Sequence, residues 1–441
     1  MKKYTIANFA KQNSLWLNID PMSFESYNSY SMPKGQTILI AIVMLLVMTV
    51  SGVPAYTSGT ETGDVVYVPG QGMSVEALEL TIEPSATIIF QGTPRTNKKE
   101  IKEFAVTYVG YLQFTKKFGK WAKAFLEVKQ GWGDRLEEQL SLFANVNYNA
   151  WDVKGNIRAR KFWYQQNFFD EQFTISSGQY NSRDVFAQNK YARDDDIQFL
   201  NWLMNRFPGI EWPASYCFTI HSYAGFEAID FLEFEFNYFD ADSDWEKVFH
   251  RGMATWQVNL KPASLLEIDP EQWEGNYRFY AWVNTRKHTK LVDAGEAKSK
   301  DTKEINYGFG LSYDQMITDV FAVFGRFGWQ RPDIEPATPN ATAGGVSALA
   351  WFTGAQMTGR YWNREDDVIA VAVGQIVPSG KYKDAGNPGR AEGHIEMYYR
   401  YQLDKCISIS PDFQIIWNPD GDEALRNNPV FTYGARINIK I

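Results

Sequence analysis

Residue types that carry out covalent chemistry are sparse in this 441-residue chain. A hydrolase needs a nucleophile activated by a neighbouring base, but no recognisable serine or cysteine motif contains any of the histidines, which are His221, His250, His288 and His394. There is no HExxH motif or paired-histidine spacing, and two cysteines, Cys217 and Cys406, cannot form a multi-thiolate metal site. We therefore expect that the chain is not an enzyme and that it binds neither a metal ion nor another cofactor. A disulfide between the two cysteines has no positive support.

Charged side chains instead recur at every second position of long segments. Between residues 231 and 239, Phe234 and Phe236 fall on one face of an extended chain, and Glu233 and Glu235 fall on the other. A helix would spread these residues around its whole circumference, so the pattern favours strands. The same alternation assigns further polar candidates to that face: Arg158, Arg160, Arg278, Arg326, Glu396, Arg400 and Arg436. It assigns three aromatic residues there as well, Phe125, Tyr280 and Trp282.

Alternation of this kind predicts sixteen strands after residue 79. They are 80–91, 104–115, 121–131, 156–166, 171–179, 216–228, 230–240, 252–260, 275–286, 304–315, 318–329, 343–354, 367–377, 392–403, 405–417 and 429–441. Short polar turns join several neighbours, whereas long connections such as 180–215, 287–303 and 330–342 separate others. Short turns at one end and long loops at the other are typical of outer-membrane barrels.

Two-faced strands are also compatible with a soluble β-sandwich, in which the apolar face would be the interior. Two details favour the barrel. Aromatic residues lie near strand ends, as at Tyr238, Tyr313 and Trp417, which suits interfacial girdles, and the last strand runs to Ile441 itself. We therefore predict an all-β, transmembrane, antiparallel up-and-down β-barrel of about 16 strands, with the soluble secreted sandwich as the alternative.

Composition excludes other classes. With 44% hydrophobic and 16% aromatic residues, the chain is not expected to be disordered. Its net charge of −8 argues against a nucleic-acid partner. The apolar run 38–50 is shorter than the roughly 20 residues of a transmembrane helix.

That apolar run follows Lys34 and precedes the small-residue segment 51–55, a pattern typical of a secretory signal. We predict that 1–55 is an amino-terminal extension and signal peptide, that 56–79 is a periplasmic segment, and that 80–441 is the barrel. An uncleaved membrane anchor is the alternative, and Met32 competes with Met1 as the translation start.

One stretch departs from alternation. Asp194, Asp195 and Asp196 precede apolar residues at helical spacing, and Pro208-Gly209 would end such a helix. We predict a helix over 193–207 within the long 180–215 connection, either folded into the pore or packed as a lid over its mouth.

The chain resembles the OprB-type carbohydrate-selective porins. The resemblance rests on the order and spacing of six segments spread over nearly all of 80–441: 178–192, 324–329, 345–359, 396–402, 410–419 and 431–441. It implies a sixteen-stranded barrel in the bacterial outer membrane that passes small sugars by diffusion. Two departures are notable: Ile441 replaces the usual terminal aromatic residue, and 359–367 differs from the expected turn.

A sugar offers hydroxyls that need donors and acceptors, together with C–H faces that stack on aromatic rings. The polar and aromatic candidates above could supply both as substrate contacts, or they could pair across the lumen and stiffen the wall. The expected partners are small carbohydrates, outer-membrane lipid and the barrel-assembly machinery, for a monomer or a homotrimer. Alternatives are a general or acidic-polysaccharide porin of the same architecture and, less in keeping with the pattern, a soluble β-sandwich lectin.

Overall fold

The computed structural model describes residues 65–94, 104–136, 140–152, 155–213, 216–243, 245, 247–269, 273–296, 304–335, 347–426 and 428–441. The predicted signal peptide lies outside these residues. The predicted periplasmic segment lies within them from residue 65 onwards.

Strands dominate the described residues. They are β1 Val65–Val68, β2 Gly72–Val75, β3 Leu80–Gly92, β4 Phe104–Phe118, β5 Ala122–Gly133, β6 Arg158–Phe168, β7 Phe173–Tyr180, β8 Cys217–Gly225, β9 Leu232–Asp240, β10 Gly252–Leu260, β11 Gly275–His288, β12 Glu304–Met316, β13 Phe321–Gln330, β14 Ser347–Gly359, β15 Arg364–Pro378, β16 Glu392–Gln402, β17 Ile407–Trp417 and β18 Val430–Lys440. The α-helices are short: α1 Trp202–Asn205, α2 Pro262–Leu265 and α3 Gly380–Asp384. None of the helices in this part of the chain is long and apolar enough to cross a bilayer.

Strands β3 to β18 form a closed barrel. Each pairs antiparallel with the next, and β18 returns to β3 through a register that runs from Tyr433 opposite Gly92 to Lys440 opposite Ser85. All sixteen predicted strands are confirmed, and the β-sandwich alternative is wrong. Closure removes the unpaired edges that hydrocarbon would penalise.

Alternation assigns the two faces of the wall as the sequence predicts. On β9, Phe234 and Phe236 point outward and are 40% and 39% exposed, whereas Asn237 and Phe239 point inward and are fully buried. Inward residues of this strand therefore meet other protein groups within the barrel.

A hairpin of β1 and β2 completes one edge of β3. Where β18 ends, the amide of Ile441 donates to the Pro84 carbonyl (3.0 Å), and β2 then continues along the same edge with Met73 opposite Ile82. The Tyr67 hydroxyl lies 3.8 Å from the Cys406 sulfur in the β16–β17 turn. The hairpin thus covers strand edge that β18 is too short to pair. Cys217 and Cys406 are both free thiols.

Boundaries differ most at the β14–β15 turn. These strands continue to Gly359 and from Arg364, beyond the predicted ends, and a 3₁₀ turn over Arg360–Trp362 joins them. Asn363 closes this turn at φ 59°, in the left-handed region that asparagine tolerates. Residues 359–367, which differ from the turn expected from the family resemblance, therefore form a tight connection.

The connection after β7 folds into the barrel. Its apolar side chains form a core with lumen-facing residues of β13, β14 and β15; this core includes Tyr191, Phe199, Phe207, Phe324, Phe352, Ala370 and Ala372. Phe199 packs against Phe324 with ring centroids 5.6 Å apart, and Phe207 packs edge-on against Phe352 at 5.9 Å. Part of the lumen is therefore filled by protein, and we call residues 181–213 the inward loop.

The predicted helix over 193–207 is wrong except for its last turn, Trp202–Asn205. The amides of Arg193 and Asp194 both donate to the Gln198 side chain (2.9 Å each), and the Asp196 amide donates to Asp194 (2.9 Å). A helix would pair the amides of Leu200 and Asn201 with carbonyls four residues earlier, but both amides donate to Glu396 instead, so the acidic run forms turns.

Two glycines, Gly209 of the inward loop and Gly328 of β13, meet where the loop packs against the wall. A methyl group on Gly328 would lie 2.8 Å from the Gly209 carbonyl oxygen and 2.8 Å from the Phe207 ring. Because both neighbours belong to the packed inward loop, a larger residue must displace it.

We expect Gly328→Ala to lower the stability of the folded barrel by about 1–3 kcal/mol, the usual cost of overpacking. The measurement is the temperature at which the compact, faster-migrating gel band is lost. Gly380→Ala is the control, because a methyl group there meets nothing within 4 Å. Equal transition temperatures for the two variants would contradict the close packing of loop and wall.

Candidate solute pathway

Two adjoining cavities remain open between the inward loop and the wall. The mixed-charge cavity, of about 190 Å³, is lined by Ser85, Tyr111, Gln113, Glu127, Lys129, Tyr148, Lys161, Asn181, Arg183, Asp184, Arg193, Asp194, Asp195, Asp196 and Tyr216. The aromatic cavity, of about 360 Å³, is lined by Lys123, Phe125, Lys161, Trp163, Gln165, Tyr180, Asp184, Val185, Gln188, Arg193 and His221. Lys161, Asp184 and Arg193 line both, so the two cavities adjoin at these side chains. The wall side of this pathway comes from β3 to β8.

A β-bulge shapes the wall at the junction. Glu127 pairs with Lys161 while the next residue, Val128, pairs with Ala159, so Arg160 is the extra residue of β6. A bulge re-aims neighbouring side chains. Lys161 consequently faces the cavities, and the adjacent Arg160 guanidinium lies over the Tyr216 ring, 4.6 Å from its centroid.

Ion pairs connect this wall to the inward loop. The Lys161 ammonium lies 2.9 Å from Glu127 on β5 and 3.0 Å from Asp184 on the loop. Within the loop, Arg183 pairs with Asp195. Lys161 is therefore a cationic link between wall and loop at the point where the cavities meet.

The acidic run presents its three carboxylates to the mixed-charge cavity. Asp196 accepts hydrogen bonds from Thr87 of β3 (2.7 Å) and from Asn149 (2.8 Å), and Asn149 also donates to Asp195 (3.1 Å). The Arg436 guanidinium of β18 donates to the Asp195 carbonyl (3.0 Å). The wall thereby fixes the position of the run.

These loop carboxyls differ in pKa. Burial opposes ionisation of Asp195, but Arg183 outweighs it and holds the pKa of Asp195 below its usual range. Burial likewise opposes ionisation of Asp184, and Lys161 and two arginines keep its pKa low. For Asp196, burial together with the neighbouring Asp194 and Asp195 charges raises the pKa to about 7. One carboxyl in the cavity therefore titrates near neutral pH.

A row of aromatic rings crosses the wall of the aromatic cavity. Phe125 and Trp163 lie nearly parallel with centroids 5.2 Å apart, and Trp163 and Tyr180 follow at 5.4 Å. The Lys123 ammonium lies 5.4 Å from the centre of the Trp163 ring. This wall combines apolar ring edges with a cation.

Most of the predicted sugar contacts point inward but lie outside the two cavities. Glu233 accepts hydrogen bonds from Tyr223 (2.8 Å) and Asn259 (2.7 Å). Glu235 occupies the next inward position on β9, and Arg278 pairs with Asp314. Arg158 lies opposite Lys129 on the polar face, and Arg400 is half-buried on β16.

Other candidates are used by the inward loop itself. Tyr280 packs edge-on against Phe186 at 5.3 Å, and Trp282 is 1% exposed within the same core. Arg326 donates to the carbonyls of Met204 (3.2 Å) and Asn205 (3.1 Å), and Glu396 binds loop amides. Phe125, by contrast, lines the aromatic cavity. Direct contact between these residues and a solute stays a prediction.

The cavities contain residues that the candidate set omitted. Glu127 and Lys129 lie on the polar face that alternation assigns to 121–131, so the sequence carried that signal. Strict alternation from Arg158 and Arg160 would put Lys161 on the outer face, because it ignores the bulge at Arg160. Arg183, Asp184 and Arg193 belong to the loop, whose path through the barrel has no periodic signature.

A family model and a solved OprB structure agree with this architecture. The model of the family described as "Carbohydrate-selective porin, OprB family" matches residues 133–441. The high-pH structure of Pseudomonas putida OprB has a TM-score of 0.68 at 16% identity, covering 83% of this chain and 95% of that chain. A Rhodopseudomonas blastica porin mutant has a TM-score of 0.43 at 8% identity, covering 82% of this chain and 100% of that one. A comparison with curated proteins found no match.

The family match spans more than half of the chain and includes β6 to β18. Its description is that of a channel rather than of an enzyme, and the closed barrel with a polar path inside it is the architecture that a channel requires. The chain belongs to the OprB family of carbohydrate-selective porins.

Proposed function

We propose that small sugars cross the bacterial outer membrane by passive diffusion through the mixed-charge and aromatic cavities, with the junction at Lys161 as the narrowest selective point. The observation that carries this proposal is the sharing of Lys161, Asp184 and Arg193 by both cavities. A solute that moves from one cavity to the other must pass these side chains.

The lining suits an uncharged solute with many hydroxyls. Five carboxylates and four cations line the mixed-charge cavity, so a hydroxyl finds acceptors and donors without a strong field of one sign. A hydrogen bond to a charged group contributes about 1.5–3 kcal/mol. Several such contacts in succession allow a sugar to bind weakly and leave again.

The volumes favour small sugars over long chains. The mixed-charge cavity, at about 190 Å³, is smaller than the roughly 300–1,000 Å³ of sites that hold drug-sized ligands. A pore for acidic polysaccharides would also be expected to have a predominantly basic lining, whereas acids and bases are nearly balanced here. Both points favour a porin for small neutral sugars.

The outer face supports a position in lipid. Exposed aromatic and aliphatic residues alternate with inward ones along the wall, as at Phe234, Phe236, Phe309 and Phe327. An apolar band around a polar interior is the pattern of outer-membrane barrels. Recognition by the barrel-assembly machinery and assembly as a monomer or a homotrimer stay predictions from the sequence.

Selective blockage tests the pathway. In a Cys406→Ser background, we expect Ser85→Cys to react with a bulky water-soluble thiol reagent and to lose roughly half or more of both ion conductance and sugar flux, because solutes share one narrow path. Planar-bilayer conductance and liposome swelling measure the two quantities. Ala159→Cys, on the outer face of β6, is the control and should keep both. Full flux through labelled Ser85→Cys barrels would contradict the proposed path.

The raised pKa of Asp196 leads to a separate prediction about pH. Its pKa of about 7 means that it gains a proton as the pH falls from about 8 to about 6, which removes one negative charge from the mixed-charge cavity. We expect the cation-to-anion permeability ratio to fall by roughly twofold over this range. Reversal potentials in a salt gradient measure that ratio.

Asp196→Asn should remove most of this pH dependence and give a low ratio throughout. Asp293→Asn, a change at an exposed loop carboxylate, should behave as the wild type does. A pH dependence that persists unchanged in Asp196→Asn would show that another group titrates.

A further inference from the structure

We propose that Glu396 of β16 is a positioning residue that sets the width of the pathway by holding the backbone of the inward loop. Among the described residues, none from β16 lines either cavity. The inference rests on the proposed function only in taking the two cavities as the path, and it assigns control of that path to a residue that touches no solute.

The contact between Glu396 and the loop is a two-point clamp. One carboxylate oxygen accepts the amide of Leu200 at 2.6 Å, and the other accepts the amide of Asn201 at 2.8 Å. Glu396 is completely buried. Because each of the two carboxyl oxygens binds a different backbone amide, this clamp fixes both the position and the orientation of the loop at 200–201.

Two further side chains of the wall continue the clamp. The Asn201 amide group donates to His394 Nδ1 (2.9 Å) and to Gln414 (3.0 Å), while its oxygen accepts the amide of Leu203 (2.9 Å). Because Asn201 is the donor to Nδ1, the ring proton of His394 is on Nε2. That nitrogen lies 2.8 Å from the Glu392 carboxylate and donates to it.

Glu392 holds a second inward segment, residues 140–152. Its two oxygens accept the amides of Phe143 and Ala144 at 2.9 Å each, and one of them also accepts the amide of Asp420 at 2.6 Å. Glu392, His394 and Glu396 occupy successive inward positions of β16. One strand therefore fastens two separate inward segments.

The two segments are also bonded to each other. The Tyr148 amide donates to the Leu200 carbonyl (2.7 Å), and the Trp202 amide donates to the Asn145 carbonyl (2.9 Å). Asn149 of the first segment in turn binds Asp195 and Asp196. A displacement at Leu200 is therefore passed to the acidic run both along the chain and through Asn149.

Glu396 could act only to stabilise the fold, or it could position the loop, and these two roles have different measurable consequences. A residue that only stabilises the fold changes the temperature at which the barrel unfolds and leaves the folded channel unaltered. A positioning residue changes ion conductance and the size limit of the folded channel. The distinction can be measured on protein that has been shown to be folded.

Glu396→Gln tests the proposal, because the amide keeps the size of the side chain but its nitrogen cannot accept a loop amide. We expect single-channel conductance to rise by at least about twofold, with admission of larger sugars in liposome swelling, in barrels that retain heat-modifiable migration. Glu365→Gln, the same substitution at an exposed carboxylate of β15, should leave both readouts at wild-type values. A folded Glu396→Gln channel with wild-type conductance and size limit would overturn the proposal.

If Glu396→Gln does not fold, Asn201→Ala decides the question from the loop side. This change removes the bonds to His394 and Gln414 but leaves the carboxylates of the wall in place, and the same rise in conductance is expected. A wild-type conductance would then refute positioning through this clamp. Ion conductance does not require that the natural solute be a sugar, so a wild-type barrel that passes ions but no sugar would refute the proposed function and leave this test intact.

Discussion

The backbone of the inward loop is the part of the chain that the rest of the lumen must accommodate. Peptide groups that leave the wall lose their strand partners and need others when they are buried. Here polar side chains of the wall supply them: Glu396 accepts two loop amides, while Arg326 and Arg436 donate to loop carbonyls. Acids therefore bind amides and arginines bind carbonyls, and the loop has one defined position.

That requirement divides the lumen into two parts. Where the loop covers the wall, inward residues are apolar, such as Phe324, Phe352 and Ala372, or they bind loop backbone. Where the loop stands away from the wall, on the side of β3 to β8, inward residues such as Glu127 and Lys161 keep their charges for the open cavities. Lumen-facing charges thus differ in use: those beside the loop bind its backbone, those beside the cavities line the path, and others, such as Glu233, bind neighbouring wall residues.

The alternation of the sequence predicts all sixteen strands and their outward faces, because burial of one face imposes a period of two on each strand. It does not predict which inward residues meet solvent. Strict alternation fails at Arg160, where one extra residue turns Lys161 inward, and the helix predicted at 193–207 fails because Glu396 of the wall binds the amides of Leu200 and Asn201 that a helix would use. One feature of the sequence does indicate which part of the wall the loop covers. Residues 368–373 are apolar on both faces, as in a strand that is covered on both sides.

The balance of charge in the open part follows from the same physics as the anchoring. An isolated charge in a narrow, partly desolvated cavity is costly, so neighbouring groups of opposite sign are favoured, as between Lys161 and its partners Glu127 and Asp184. Pairing cancels most of the net field but leaves lone pairs and N–H groups that face the path. Such a surface offers little net attraction to a simple ion, whereas a polyhydroxylated solute can replace its lost water contacts one by one. The proposed selectivity for sugars then rests on paired charges that stay accessible, and it depends on the loop being held at the distance that keeps them so.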